Sequence, residues 1–214
     1  MFVLNRVFNL PVGASRLTSE LTLPPQASGL VMLAHSLSGQ RASARCRYIR
    51  HLLQQEDLGT LSVGLLSPQE TSQPATDAAA SLLTQRLIAA TQWAQRQSSL
   101  FGLRIGLLGH DETATTVLDA STELGFQVGA VVSFGGDLAP MAALPLPVPT
   151  LLLVGEADDA EPELRDLGAT SEARPIAQAD HLFRDQRALV PATQQAALWF
   201  NRYLARPSTR WPTN

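Results

Sequence analysis

Along the chain, short runs of consecutive apolar residues alternate with longer stretches in which apolar positions recur every three or four residues. The runs are GLVMLAH (29–35), LGTLSVGLL (58–66), RIGLLG (104–109), VGAVVSFG (128–135) and PTLLLVG (149–155). Unbroken apolarity over so few residues, bounded by Gly, Pro and polar turns, predicts strands buried on both faces. Segments within 2–10 and 16–23, ended by Pro24-Pro25, predict two further N-terminal strands, and a short candidate strand lies at 174–177. The intervening stretches 41–56, 77–97, 112–124 and 187–204 read as helices. In the second of these Leu82, Leu83, Leu87, Ile88, Ala90 and Thr91 share one side. In the last, Leu189, Ala192, Ala196, Trp199, Phe200 and Tyr203 do the same, each an amphipathic spacing.

Strand–helix alternation predicts an α/β fold: a mostly parallel central sheet with helices on both faces and an antiparallel N-terminal edge. No internal repeat or low-complexity linker divides the chain, so 1–214 reads as a single domain. An apolar fraction of 45% with 16% charged residues excludes a disordered chain. A net charge of −3 with both signs scattered gives no basic face for nucleic acid. Cys46 is the only cysteine, so neither an intrachain disulfide nor a multi-cysteine metal site is available. No apolar run approaches the roughly 18 residues that cross a bilayer. The N-terminal MFVLNRVFNLPVGASRL is interrupted by Asn5, Arg6 and Asn9 and has no basic segment before it, so it reads as structure, not leader. The expected location is cytoplasmic.

In a parallel sheet, ligands gather where strands end. The third strand ends in His35-Ser36-Leu37-Ser38-Gly39, the fifth in Gly109-His110-Asp111-Glu112-Thr113, and the seventh in Val154-Gly155-Glu156-Ala157-Asp158-Asp159. A fourth such stretch is Ala179-Asp180-His181-Leu182-Phe183. The order nucleophile, acid, histidine is that of a hydrolase triad, here Asp111, Asp158 and His181.

At these residues the chain resembles the α/β-hydrolase fold, and within it a small dienelactone-hydrolase-like subgroup, from about Gly29 to Leu204. AHSLSGQRASARCRYIRHLL is similar to the subgroup's segment at this place, through His35, Ser38, Arg41, Ser43, Arg45, Arg47 and Tyr48. LLLVGEAD resembles its acid turn and ADHLF its histidine turn. The resemblance implies a core without a cap domain, Asp158 as acid and His181 as base. It also implies oxyanion donors from the loop after His35 (Ser36, Leu37) and from the backbone N–H of Glu112; His35, Ser38, His110 and Arg41 are the candidates for lining the substrate site. No cofactor and no metal is implied.

The departures fall on the chemistry. Asp111 stands where the family has its nucleophilic serine, Thr113 where it has a second glycine, and Ser36-Leu37 where it favours small residues. Phe134 stands where the subgroup often carries arginine. A carboxylate attacking an ester forms an anhydride and must expel a more basic alkoxide, so ordinary ester hydrolysis through Asp111 is disfavoured. A carboxylate does attack saturated carbon bearing a good leaving group or a strained ring, and His181 could then direct water at the resulting ester. Related α/β-hydrolases treat haloalkanes and epoxides in this way, usually beneath a cap; here 137–148 is too short for one.

Plainer roles stand beside these. Asp111 could simply cap the following helix, and Glu112 next to it adds like-charge repulsion. His35 reads as structural, His51 as surface and His110 as cleft lining. Arg41, Arg45 and Arg47 form either an anion-binding patch or a solvated helix face. Cys46 reads as packing, and Asp159, Glu161 and Glu163 as a solvated loop. A metal site from His110, Asp111, Glu112 or His181 lacks any paired-ligand spacing. Three functions follow: a small-molecule hydrolase using Asp111, Asp158 and His181; a non-catalytic member of the fold that binds a small ligand or a protein; and a hydrolase whose nucleophile is Ser36 or Ser38. Oligomeric state stays open, with a homodimer as the candidate assembly.

Overall fold

The computed structural model describes residues 4–36, 40–67, 70, 77–135, 146–155, 170–180, 183 and 185–205, with the side chains at 40–43, 77–79 and 186 outside that description. Two strands form an N-terminal hairpin, β1 (Leu4–Val12) and β2 (Ser15–Leu23). They are followed by β3 (Leu30–His35), α1 (Gln40–Gln55), β4 (Gly59–Gly64) and α2 (Asp77–Gln95). Next come β5 (Ile105–His110), a 3-10 turn (Asp111–Thr113), α3 (Ala114–Leu124) and β6 (Ala130–Phe134). The chain then runs through β7 (Thr150–Gly155), β8 (Ser171–Ile176) and α4 (Gln186–Leu204).

The strands make one eight-stranded sheet in the order β1-β2-β4-β3-β5-β6-β7-β8. The first two pairings, β1 with β2 and β2 with β4, are antiparallel, and the rest are parallel. The predicted architecture is therefore present, antiparallel edge included. Period-two alternation divides each central strand between two cores. Leu30, Met32 and Ala34 of β3 join Leu61, Leu107 and the buried face of α2 and α3. Val31 and Leu33 join Leu108, Val132 and the buried face of α1 and α4. The helical stripes fall where expected: Leu83, Leu87 and Ala90 of α2, and Leu189, Ala192, Ala196, Trp199 and Phe200 of α4, are all buried.

Several boundaries shift by a residue or more, and two of the shifts have a local physical reason. The strand predicted at 174–177 begins earlier, at Ser171, because pairing with β7 recruits the polar residues Ser171 and Glu172 into the edge. The helix predicted from 112 opens instead as the tight turn Asp111–Thr113, and α3 starts only at Ala114. That turn places the candidate chemistry.

Candidate functional site

Gly109 and His110 end β5 between β3 and β6, in the middle of the sheet. The backbone then reverses. Asp111 has φ = +53°, in the left-handed region that costs an L-residue roughly 1–2 kcal/mol. A strand, a strained apex and a helix make a nucleophile elbow, which lifts one side chain clear of the carboxyl edge of the sheet. Gly109 is needed for the reversal: a Cβ there would lie 2.2 Å from the Thr113 carbonyl oxygen. Thr113, in place of the family's second glycine, is buried, and its hydroxyl stitches the turn together. Its Oγ1 lies 2.9 Å from the carbonyl oxygens of both Ala34 and His110, and accepts from the His110 N–H at 3.1 Å.

Asp111 is not the cap of α3. It sits inside the turn, and Thr113 holds the N-cap position. Its side chain, 31% exposed, is engaged from two sides. Arg45 Nη1 lies 3.4 and 3.3 Å from Oδ1 and Oδ2, and His110 Nδ1 lies 3.0 Å from Oδ2. A carboxylate only accepts, so Nδ1 carries that proton. The His110 ring is buried, and its Nε2 has no hydrogen-bond partner among the described residues.

Arg45 is the residue that sequence reasoning left undecided between a patch and a solvated face. It is neither: the side chain is 17% exposed and reaches two loops at once. Besides Asp111, its Nη2 donates to the Phe183 carbonyl at 2.5 Å. Phe183 lies two residues beyond His181, adopts φ = +50° and packs its ring 5.7 Å from that of Phe134. Phe134, which stands where the resembled subgroup often carries arginine, thus packs against Phe183. Both rings are fully buried. Arg47, by contrast, is exposed.

Glu112 does not crowd Asp111 in the way sequence adjacency suggests. Its Oε2 accepts from the Ser36 hydroxyl at 2.6 Å, the length of a charge-assisted bond. Ser36 is itself buried. Ser36, one of the two candidate loop nucleophiles, thus has its hydroxyl bonded to a carboxylate. His35 ends β3 with its ring over Gly64, where a Cβ would come within 3.2 Å of Cε1, and its carbonyl accepts from Leu65, as suits a structural role. Cys46 is packed against Ser62, and burial pushes its thiol pKa up; His51 is exposed. Leu37, Ser38, Asp158, Asp159, Glu161, Glu163 and His181 lie outside the described residues, as does the Arg41 side chain. So does most of 137–148. Among the described residues no group of three His, Cys, Asp or Glu is placed to hold a metal ion, and no helix is long and apolar enough to cross a membrane.

No protein-family model matches the chain. Two proteins of Mycobacterium tuberculosis, from strains CDC 1551 and H37Rv, are 32% identical over 202 residues, and their names assign them provisionally as phosphoribosyl transferases. That match covers 91% of this chain but 46% of theirs, so the chain spans about half the length of these curated relatives. Among solved structures, a dienelactone hydrolase from Anabaena variabilis superposes with a TM-score of 0.84 at 33% identity, over 94% of this chain and 99% of its own. A lidless α/β serine hydrolase from Xanthomonas campestris shares the fold at 17% identity and a TM-score of 0.70, over 96% of this chain and 97% of its own. At the identity and coverage of the Anabaena variabilis match, the chain belongs to the dienelactone-hydrolase-like α/β-hydrolase family.

Proposed function

We propose that the chain is a small-molecule hydrolase in which Asp111 is the nucleophile, His181 the base and Asp158 its acidic partner. The observation that carries this reading is the φ of +53° at Asp111: the strained apex that presents a nucleophile is kept, with a carboxylate on it. In the proposed cycle a carboxylate oxygen attacks a saturated carbon. A C–O bond forms, and the leaving group (a halide, or the oxygen of a strained ring) departs with its electron pair. The enzyme-bound alkyl ester is then hydrolysed. His181 takes a proton from water, the hydroxide adds to the Asp111 carbonyl carbon, the alkoxide leaves as the alcohol with the proton that His181 returns, and the regenerated Asp111 acid loses its own proton to solvent. Backbone N–H groups at Glu112 and in the Ser36-Leu37 loop are the donors for the oxyanion of that second step. Arg45 orients the carboxylate, while Ser38, His110 and Arg41 contribute to the substrate's surroundings.

The experiment uses His181→Gln with a panel of short alkyl halides and epoxides. The expected outcome is a covalent alkyl adduct on Asp111, visible in the intact mass, because attack proceeds and hydrolysis does not. If the variant stays unmodified and the wild type is inert across the panel, the nucleophile reading is lost.

A second reading is favoured by the pairing itself. Arg45 and His110 on Asp111, and Ser36 on Glu112, occupy the groups that a hydrolase would leave free. A non-catalytic protein that binds a small ligand at the same edge fits this, and thermal stabilisation by that ligand would reveal it. Phosphoribosyl transfer, the activity in the longer relatives' names, gains no support from this edge. Asp111 and Glu112 place negative charge where a pyrophosphate needs cations and free N–H donors.

A further inference from the structure

His110 is a buried imidazole beside the elbow to which the cycle above gives no chemical step. β5 sends alternate side chains to opposite faces. Leu108 joins the core under α1 and α4, and Gly109 faces Thr113 and Val117. His110 therefore falls on the Leu108 face, in register with the buried Phe134 of β6. Arg45 approaches Asp111 from α1, on that same face. The His110 side chain is 6% exposed, with Nδ1 3.0 Å from Asp111 Oδ2. Nε2 is buried without a partner among the described residues, which is costly for a ring that only fills space. The ring's tie to the carboxylate runs through Nδ1.

These contacts make the two oxygens of Asp111 unequal. Oδ2 meets His110 Nδ1 at 3.0 Å and Arg45 Nη1 at 3.3 Å, while Oδ1 lies 3.4 Å from the same Nη1. Attack through the Oδ1 position leaves both donors of Oδ2 in place; attack through Oδ2 would shed them. Negative charge then moves in a fixed order. The free carboxylate carries it, the alkyl ester does not, and the tetrahedral adduct with hydroxide carries it again, on Oδ2. Donors on Oδ2 thus stabilise the carboxylate and the adduct more than the ester between them. They oppose the first half-reaction and promote the second. Rotation about Cβ–Cγ between turnovers exchanges the two atoms, so each in turn occupies the held position.

We propose that His110 is a catalytic residue of the hydrolytic half-reaction. Its Nδ1–H, with Arg45 Nη1 beside it, donates to the oxyanion that forms on Oδ2 when water attacks the Asp111 ester. This rests on the reading of Asp111 as nucleophile. In the step, the water oxygen bonds to Cγ as the carbonyl π pair moves onto Oδ2. On collapse that pair returns, and the bond from Cγ to the alkyl-bearing oxygen breaks. His181 carries the proton from water to the departing alkoxide, while His110 keeps its own throughout. The side-chain donors add to the backbone donors at Glu112 and in the Ser36-Leu37 loop, since an oxyanion has more than one lone pair to share.

Rapid quench with n-butyl bromide or butylene oxide, read by intact mass, separates the two half-reactions. In His110→Leu the alkyl adduct should form at least as fast as in wild type and decay about a hundredfold more slowly. It should therefore accumulate although His181 is intact. The amide of His110→Asn reaches the place of Nδ1 and should restore most of the decay rate. The amide of His110→Gln reaches the place of Nε2 and should not. That pair carries the comparison if the leucine variant does not fold. A role in folding alone would slow formation and decay together. Parallel slowing, or unchanged decay in His110→Leu, overturns the inference, as does rescue by Gln and not by Asn. An adduct on His181→Gln beside any of these results leaves the nucleophile reading standing. If His181→Gln takes up no alkyl group from either probe, that reading fails and the inference falls with it.

Discussion

Arg45, on the second turn of α1, brings its Nη1 to 3.3 Å from Oδ2 of Asp111 at the apex of the elbow. One guanidinium thereby ties the apex at Asp111 to the Phe183 carbonyl. Exposed ion pairs contribute little, but this one is mostly shielded from water and geometrically divided between two loops. A double-mutant cycle with Arg45→Ala and Asp111→Asn should give a coupling of about 1 kcal/mol in urea denaturation. Arg45→Lys should recover only part of it, because an ammonium cannot span both acceptors as the planar fork does. A coupling indistinguishable from zero means the two side chains meet without consequence.

The strain at Asp111 has a separate signature. Asp111→Gly removes the Arg45 contact and the left-handed penalty together, whereas Asp111→Ala removes only the contact. The glycine variant should be the more stable of the two by about 1 kcal/mol. Equal stabilities would show that the positive φ costs the fold nothing.

Gly109 is the opposite case, a glycine required by space. The Thr113 carbonyl oxygen stands 2.2 Å from where a Cβ would sit. Backbone is a poor neighbour to displace, so Gly109→Ala should destabilise the fold by roughly 1–3 kcal/mol and move the elbow. Thr113→Val should cost about 1–2 kcal/mol through the lost hydroxyl bonds. Both are read by denaturation; an unaltered midpoint for Gly109→Ala contradicts the geometry.

What was legible in the sequence and what was not follow the range of the forces involved. Strands buried on both faces announce themselves by composition, so β3 to β7 lie within a residue or two of their predicted bounds. The GHDET elbow was readable because turn, strand end and chain order all agree there. Arg45 was not, since helical periodicity places a residue on a face without saying which loop that face meets. The Thr113 hydroxyl was visible only as a departure from glycine. Its three partners come from β3 and from its own turn, and only the fold brings them together. Phe134 likewise read as a missing arginine, and its function as a wall for Phe183 is a tertiary fact.

Glu70 and Arg86 provide a pH-dependent test away from the site. Arg86 donates to both carboxylate oxygens, at 2.8 and 2.7 Å, and also to the Leu65 carbonyl and Ser15 hydroxyl. The Arg86 bonds first, then the Ser67 backbone N–H, bring the Glu70 pKa down from 4.5 to about 2. A lowered folded pKa stabilises above the unfolded value, and that contribution fades as pH falls from about 4.5 towards 2. Glu70→Gln should therefore be less stable than wild type at neutral pH, and the two curves should converge on acidification through that window. Parallel curves would mean that the carboxylate is not held this way.

The central claim is that Asp111 attacks and is regenerated by water. Turnover in isotopically heavy water, followed by mass analysis of the peptide containing Asp111, tests it most directly. Heavy oxygen should enter the Asp111 carboxylate from the first turnover and level off at two atoms, because each attacking water leaves one oxygen there. Turnover that leaves the peptide at its natural mass, with the label only in product, would contradict the account.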